Sequence, residues 1–174
     1  MSRINKIMMK QQFLRKLQSC FGLLGLLLLM TPAHAAVWNA ENDWNQQWEY
    51  RYQHWVKTQW TDDIFMNPAK PAYYKYATDC SDASYAMRLI FAYEHRLPFV
   101  VNNPSRPGKL ISNRKSRWDH LPEAERVRNF LDYMADMTST KSLGDDTYPV
   151  ALHDIKPGDI YVLDSKKFIL AVSP

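Results

Sequence analysis

Cysteine is nearly absent from this chain: it has two in 174 residues, Cys20 and Cys80. Acidic residues are missing altogether from the first 35 positions, which carry Arg3, Lys6, Lys10, Arg15 and Lys16. An apolar, leucine-rich run follows from Cys20 to Met30, and Thr31-Pro32-Ala33-His34-Ala35 supplies a small-x-small cleavage pattern. These features predict a secretory signal peptide over residues 1–35, cut after Ala35. The run falls short of the ~20 residues a spanning helix needs, so no stable membrane span is expected after cleavage. Leu17-Gln18-Ser19-Cys20 has the look of a lipoprotein box, but its apolar run follows the cysteine instead of preceding it, which excludes lipidation. The expected destination is the periplasm or the medium.

Removing that segment changes two further counts. The chain has 22 Lys+Arg against 18 Asp+Glu, and five of the basic residues leave with the signal, so 17 face 18 in residues 36–174. A basic excess is therefore lacking, and with it the electrostatic footprint of a nucleic-acid-binding domain. Cys20 also leaves, and Cys80 stands alone in a compartment that favours disulfides. An unpaired thiol there points to a reactive group or an intermolecular bridge. No His/Cys/Asp cluster has metal-ligand spacing, so no metal is expected, and no cofactor either. Repeats, low-complexity tracts and a second domain are lacking too, leaving residues 36–174 as a single domain.

What is present reads as helices followed by strands. Trp44, Trp48, Tyr52 and Trp55 fall at helical spacing within Val37–Trp60, with Asn39 or Asn42 as the expected cap. Helical spacing marks this stripe as core, with a sugar-stacking platform as the functional alternative. Thr61–Ala77 is irregular, broken by Pro68 and Pro71. Tyr73, Tyr74 and Tyr76 at its end are either core or the wall of a substrate cleft. Asp79–Arg96 predicts a second helix, with Asp79 capping it, Asp82 returning the contact, and Leu97-Pro98 ending it. Phe99–Leu121 reads as a long basic loop, either solvated or a rim for anionic groups. Pro122–Met137 predicts a third helix with Val127, Phe130, Leu131, Met134 and Met137 inward. Thr138–Tyr148 is expected as a polar connection. Asp62-Asp63 and Asp145-Asp146 are expected as solvated turn residues.

The period then changes. Tyr148–Leu152, Ile160–Leu163 and Phe168–Val172 predict short strands, with turns at Lys156-Pro157-Gly158-Asp159 and Ser165-Lys166-Lys167. The sequence stops at Ser173-Pro174 directly after a strand, which predicts a fragment whose C-terminal part is missing.

Cys80 is the expected nucleophile. A thiol attacks as the thiolate, and a helix N-terminus favours that anion. Asp79 and Asp82 oppose it, so a histidine partner is required. Four histidines follow residue 35: His54, His95, His120 and His153. His95 lies 15 residues along the same helix, about 22 Å away at ~1.5 Å per residue. His54 sits on the aromatic helix and His120 near a helix start, which leaves His153 as the internal fallback base.

Asp79-Cys80-Ser81-Asp82 opening a helix, with Ile155-Lys156-Pro157-Gly158-Asp159-Ile160-Tyr161-Val162 far downstream, resembles the NlpC/P60 group of papain-like cysteine peptidases and amidases. The resemblance covers Thr78–Leu97 and Ile155–Val172. It implies an α+β fold with N-terminal helices and a C-terminal antiparallel sheet, and a thiol-protease activity. The substrate would be a peptidoglycan-like peptide of the cell wall. It also implies a catalytic histidine on the strand or turn after the Pro-Gly-Asp turn. This sequence has Asp82 where the family has glycine, and no histidine in Phe168–Val172. The expected base is therefore a histidine beyond Pro174. A transglutaminase-like acyltransferase shares the Cys–His logic. A non-catalytic envelope-binding module, with Cys80 an inert buried thiol, is the alternative from outside enzymology.

Overall fold

The structure, a computed structural model, describes residues 36–162 and 169–171. Residues 1–35, expected as a signal peptide, with Cys20 among them, and the expected Ser165-Lys166-Lys167 turn lie outside the described residues. The architecture is α+β. The order is α1 (Gln46–Gln59), α2 (Cys80–Glu94), β1 (Val100–Asn102), β2 (Leu110–Ser112), α3 (Glu123–Met137), α4 (Thr140–Asp145), β3 (Ile160–Val162) and β4 (Ile169–Ala171). Single 3-10 turns occur at Ile64–Met66 and Leu152–Asp154.

Helix α2 is the element on which the others converge; α1, α3, α4 and β4 all lie against it. Its buried residues run almost without a break from Ser84 to Ala92. A helix apolar on nearly every side is a buried one. Phe91, fully buried, explains the tryptophan spacing of α1. Trp44 stacks on it at 5.9 Å, and Tyr52, Trp55 and Trp48 meet it edge-on at 5.2, 5.6 and 6.3 Å. The stripe is core. Each such aromatic pair adds about 0.5–1.5 kcal/mol beyond its buried area. On the other side Val127, Phe130, Leu131 and Met134 of α3 are buried as their spacing predicts.

Both helix termini of α2 are closed by the chain itself. The expected Asp79–Asp82 capping box is present. At the far end Arg96 takes the left-handed conformation (φ 52°). Leu97 N donates to Ala92 O at 2.8 Å and Arg96 N to Tyr93 O at 3.2 Å, a Schellman closure that uses arginine where glycine is usual. The Arg96 guanidinium is held by both carboxylate oxygens of Glu123 at 2.8 and 2.9 Å. Asn42, expected to start α1, instead donates from Nδ2 to His95 O at 2.9 Å and satisfies the end of α2. The α1 cap is Asn45, whose Oδ1 accepts from Trp48 N at 3.1 Å.

Three expectations of the chain's second half are corrected. Phe99–Leu121 contains an antiparallel hairpin, β1–β2, in the register Val100↔Ser112, Val101↔Ile111 and Asn102↔Leu110. Its three-residue strands are too short to display an alternation. Thr138–Tyr148 contains the short helix α4, begun by a Ser139–Ser142 capping box. Tyr148–Leu152 is not a strand: Tyr148, Val150 and Leu152 are exposed, and no described strand pairs with them. The other two strands form as expected, β3 pairing β4 antiparallel with Ile160↔Ala171.

One buried polar residue locks the N-terminal segment to the hairpin. Asn113, only 2% exposed, donates from Nδ2 to Trp38 O and accepts at Oδ1 from Phe99 N, each at 3.0 Å. Its backbone N–H reaches Phe99 O and its carbonyl accepts from Val37 N at 2.7 Å. All four polar groups are satisfied, which is what keeps a buried amide affordable.

Candidate active site

Cys80 is the first residue of α2, and its thiol is exposed. Asp79, in extended conformation, accepts at Oδ1 from Asp82 N and from Ser81 Oγ, both at 2.9 Å. Asp82 Oδ2 accepts in return from Asp79 N. The two carboxyls respond in opposite directions. The Asp82 N–H holds Asp79 below the ordinary carboxylate range. Burial, with the charges of Asp79 and Asp136 added, pushes Asp82 up. Asp79 thus carries the negative charge that complements the helix dipole. The amide of Cys80 has no acceptor among the described residues, so one helix-end donor remains for an incoming anion.

Ser84 and Arg88 follow Cys80 at helical steps of four, and both line a cleft of about 640 Å³. Cys80 stands one turn beyond the cleft's Ser84, whose Oγ donates to Cys80 O at 2.9 Å. The opposite wall includes Pro157, Gly158, Asp159 and Ile160. The turn Lys156-Pro157-Gly158-Asp159 has proline second and glycine third with φ +94°, the conformation of a type II turn. Asp159 N donates to Lys156 O at 3.0 Å, and Asp159 Oδ2 accepts from Lys156 N at 2.8 Å. Gly158 sits so close to the Tyr52 ring that a Cβ there would lie 2.6 Å from Cε1.

The cleft floor is fixed by Arg88. Its guanidinium lies 3.6 Å from the Trp44 ring centre and 4.5 Å from that of Tyr52, and it forms a two-point ion pair with Glu49. Across the cleft, Asp146 accepts from Tyr85 Oη and from Asn102 N, each at 2.8 Å. Burial and the neighbouring Asp146 keep Tyr85 protonated. Asp146 therefore joins α2, β1 and the end of α4, and is not the solvated turn residue expected.

The other sequence candidates are not brought to Cys80. His153 is exposed on the Leu152–Asp154 turn, 3.4 Å from the Asp154 carboxylate, and does not line the cleft. His54 and His120 are exposed, and His95 packs between Phe91 and Trp48. Among the described residues no histidine is hydrogen-bonded to Cys80. Tyr73 and Tyr76 are core rather than cleft wall, donating to Glu94 and to Leu131 O. Tyr74 is half-buried and outside the cleft, with Lys75 over its ring. The basic residues Arg106, Lys109, Arg114 and Arg117 are exposed on and after the β1–β2 hairpin.

Glu49, Arg88 and Asp146 were missed by sequence reasoning. Their partners lie 39 to 61 residues away, and no local pattern announces them. Among the described residues no group of three metal-ligating side chains occurs, and no helix is long and apolar enough to cross a membrane. No family model, no curated protein and no solved structure matches the chain.

Proposed function

We propose that the protein is an exported cysteine hydrolase of papain-like fold that cleaves amide bonds in cell-wall peptides. Cys80 is the nucleophile. One observation supports the reading: the helix begun by Cys80 lines, through Ser84 and Arg88 one and two turns on, the same cleft as the Pro157-Gly158-Asp159 turn. In the reaction Cys80 Sγ attacks the carbonyl carbon while a histidine takes the thiol proton. The free N–H at the start of α2 faces the developing oxyanion. The histidine then protonates the leaving amine, and water hydrolyses the thioester in the reverse sequence. The histidine is the partner that the NlpC/P60 resemblance implies; among the described residues none is hydrogen-bonded to Cys80.

A second reading, a non-catalytic envelope-binding module, draws support from the lack of a histidine beside Cys80 among the described residues. The two are separated by incubating the full-length protein, as its gene encodes it, with peptidoglycan stem peptides. Release of a new amino terminus that Cys80→Ser abolishes supports the hydrolase. Binding of the same peptides without turnover, unchanged in Cys80→Ser, supports the module.

A further inference from the structure

The cleft has a chemical character of its own, independent of the thiol. Three of the large apolar side chains left exposed by the fold lie on its walls: Tyr148 at 92%, and Val100 and Val150 each at 52%. Exposed apolar surface gathered in a concavity marks a contact site more often than scattered exposure does. At about 640 Å³ the cleft is within the ~300–1,000 Å³ range of small-molecule sites.

Its charge is unbalanced. Arg88 is the one cation among the described lining residues, and Glu49 already occupies both sides of its guanidinium fork. The same guanidinium lies over the rings of Trp44 and Tyr52, so among the described residues no uncommitted cation is offered to a ligand. Asp146 and Asp159 also line the cleft, and among the described residues neither is in an ion pair. Their hydrogen bonds come from a tyrosine hydroxyl and from neutral amides, which stabilise a carboxylate without cancelling its charge. Two uncompensated carboxylates and a wall of exposed apolar side chains form an amphipathic acidic cleft.

We propose that this cleft binds an ammonium group carried on an apolar stem. The stem covers Tyr148, Val100 and Val150, and the cation answers the charge of Asp146 and Asp159. An anionic ligand of the same shape meets two like charges and, among the described residues, no free cation.

The test is calorimetric titration with 4-phenylbutylammonium and, separately, 4-phenylbutyrate, which share a body and differ in the sign of the head group. Cys80→Ser is used as the parent, so the outcome does not depend on the thiol. The ammonium ligand is expected to bind and the carboxylate not. Asp159→Asn keeps the acceptor for Lys156 N and is expected to weaken binding by up to about fivefold, the scale of a partly exposed charge pair. Tyr148→Ala, at a position too exposed to govern folding, is expected to weaken it as well. Salt near 1 M, where the screening length falls to ~3 Å, is expected to reduce the ammonium affinity. Equal binding of the two ligands, binding of neither, or an unchanged affinity in Asp159→Asn overturns the proposal.

Discussion

Two turns in this chain share a basic-Pro-Gly pattern and the same closing hydrogen bond, and their glycines differ in what surrounds them, which permits a paired measurement. Arg106-Pro107-Gly108-Lys109 and Lys156-Pro157-Gly158-Asp159 each close with the fourth N–H donating to the first carbonyl at 3.0 Å. Their glycines have φ +78° and +94°. A Cβ on Gly108 meets nothing within 4 Å, while one on Gly158 lies 2.6 Å from Tyr52 Cε1. Alanine at either site incurs the left-handed penalty of about 1–2 kcal/mol, offset by about 0.4–1 from a stiffer unfolded chain. Gly108→Ala should therefore cost about 1 kcal/mol or less. Gly158→Ala adds a steric term. Tyr52 has no easy escape, being stacked on Trp55, edge-on to Phe91 and covered by Arg88. Overpacking of this kind costs about 1–3 kcal/mol, so the second variant should lose about 2–4 in all. Urea unfolding followed by tryptophan fluorescence gives both values. With a slope of roughly 1–3 kcal/mol per molar urea, the midpoints of the two variants should differ by about 1 M. Equal losses would refute the claim that the Pro-Gly-Asp turn is seated on Tyr52, and with it the cleft wall.

Other perturbations probe other joints. Asn113→Ala strands Phe99 N–H and Trp38 C=O in the core, and at about 1–3 kcal/mol per orphaned group it should cost roughly 2–6 kcal/mol in the same unfolding assay; a loss under about 1 contradicts the bracket. Asp79→Ala removes the cap of α2 and should cost about 1 kcal/mol, with Asp79→Asn recovering most of it. Burial between Phe91 and Trp48 holds the His95 imidazole below its ordinary value of 6.5. The unfolded chain then takes up the proton first, so stability present above pH ~6.5 is lost as pH falls toward the folded-state value. His95→Gln should flatten that loss between pH 7.5 and 5, and an unchanged slope, read from urea midpoints, contradicts the assignment.

The legible parts of this fold were the locally determined ones. Asp79 and Asp82 are three residues apart, so the start of α2 could be read directly, and the four-residue tryptophan steps announced a packed face. The Pro-Gly-Asp turn was equally plain. The illegible parts depend on distant partners. Asn42 looked like a cap for the helix after it and closes a helix 53 residues on. Asn113 joins segments 75 and 14 residues away. Asp146 looked solvated until Tyr85, 61 residues upstream, was brought to it. Tyr73 and Tyr76 could be weighed as wall or core only once Glu94 and Leu131 were in place around them. At the site, the thiol's address at a helix start could be read, whereas the cleft one turn away could not, because its walls come from five separate stretches of chain.

The central claim is that Cys80 is a nucleophile rather than an inert thiol. Iodoacetamide alkylation of the full-length protein at pH 6, beside a free cysteine peptide, tests it most directly. An activated Cys80 alkylates about tenfold faster than the peptide or more, because at that pH almost none of an ordinary thiol is ionised. A rate at or below that of the peptide contradicts the hydrolase.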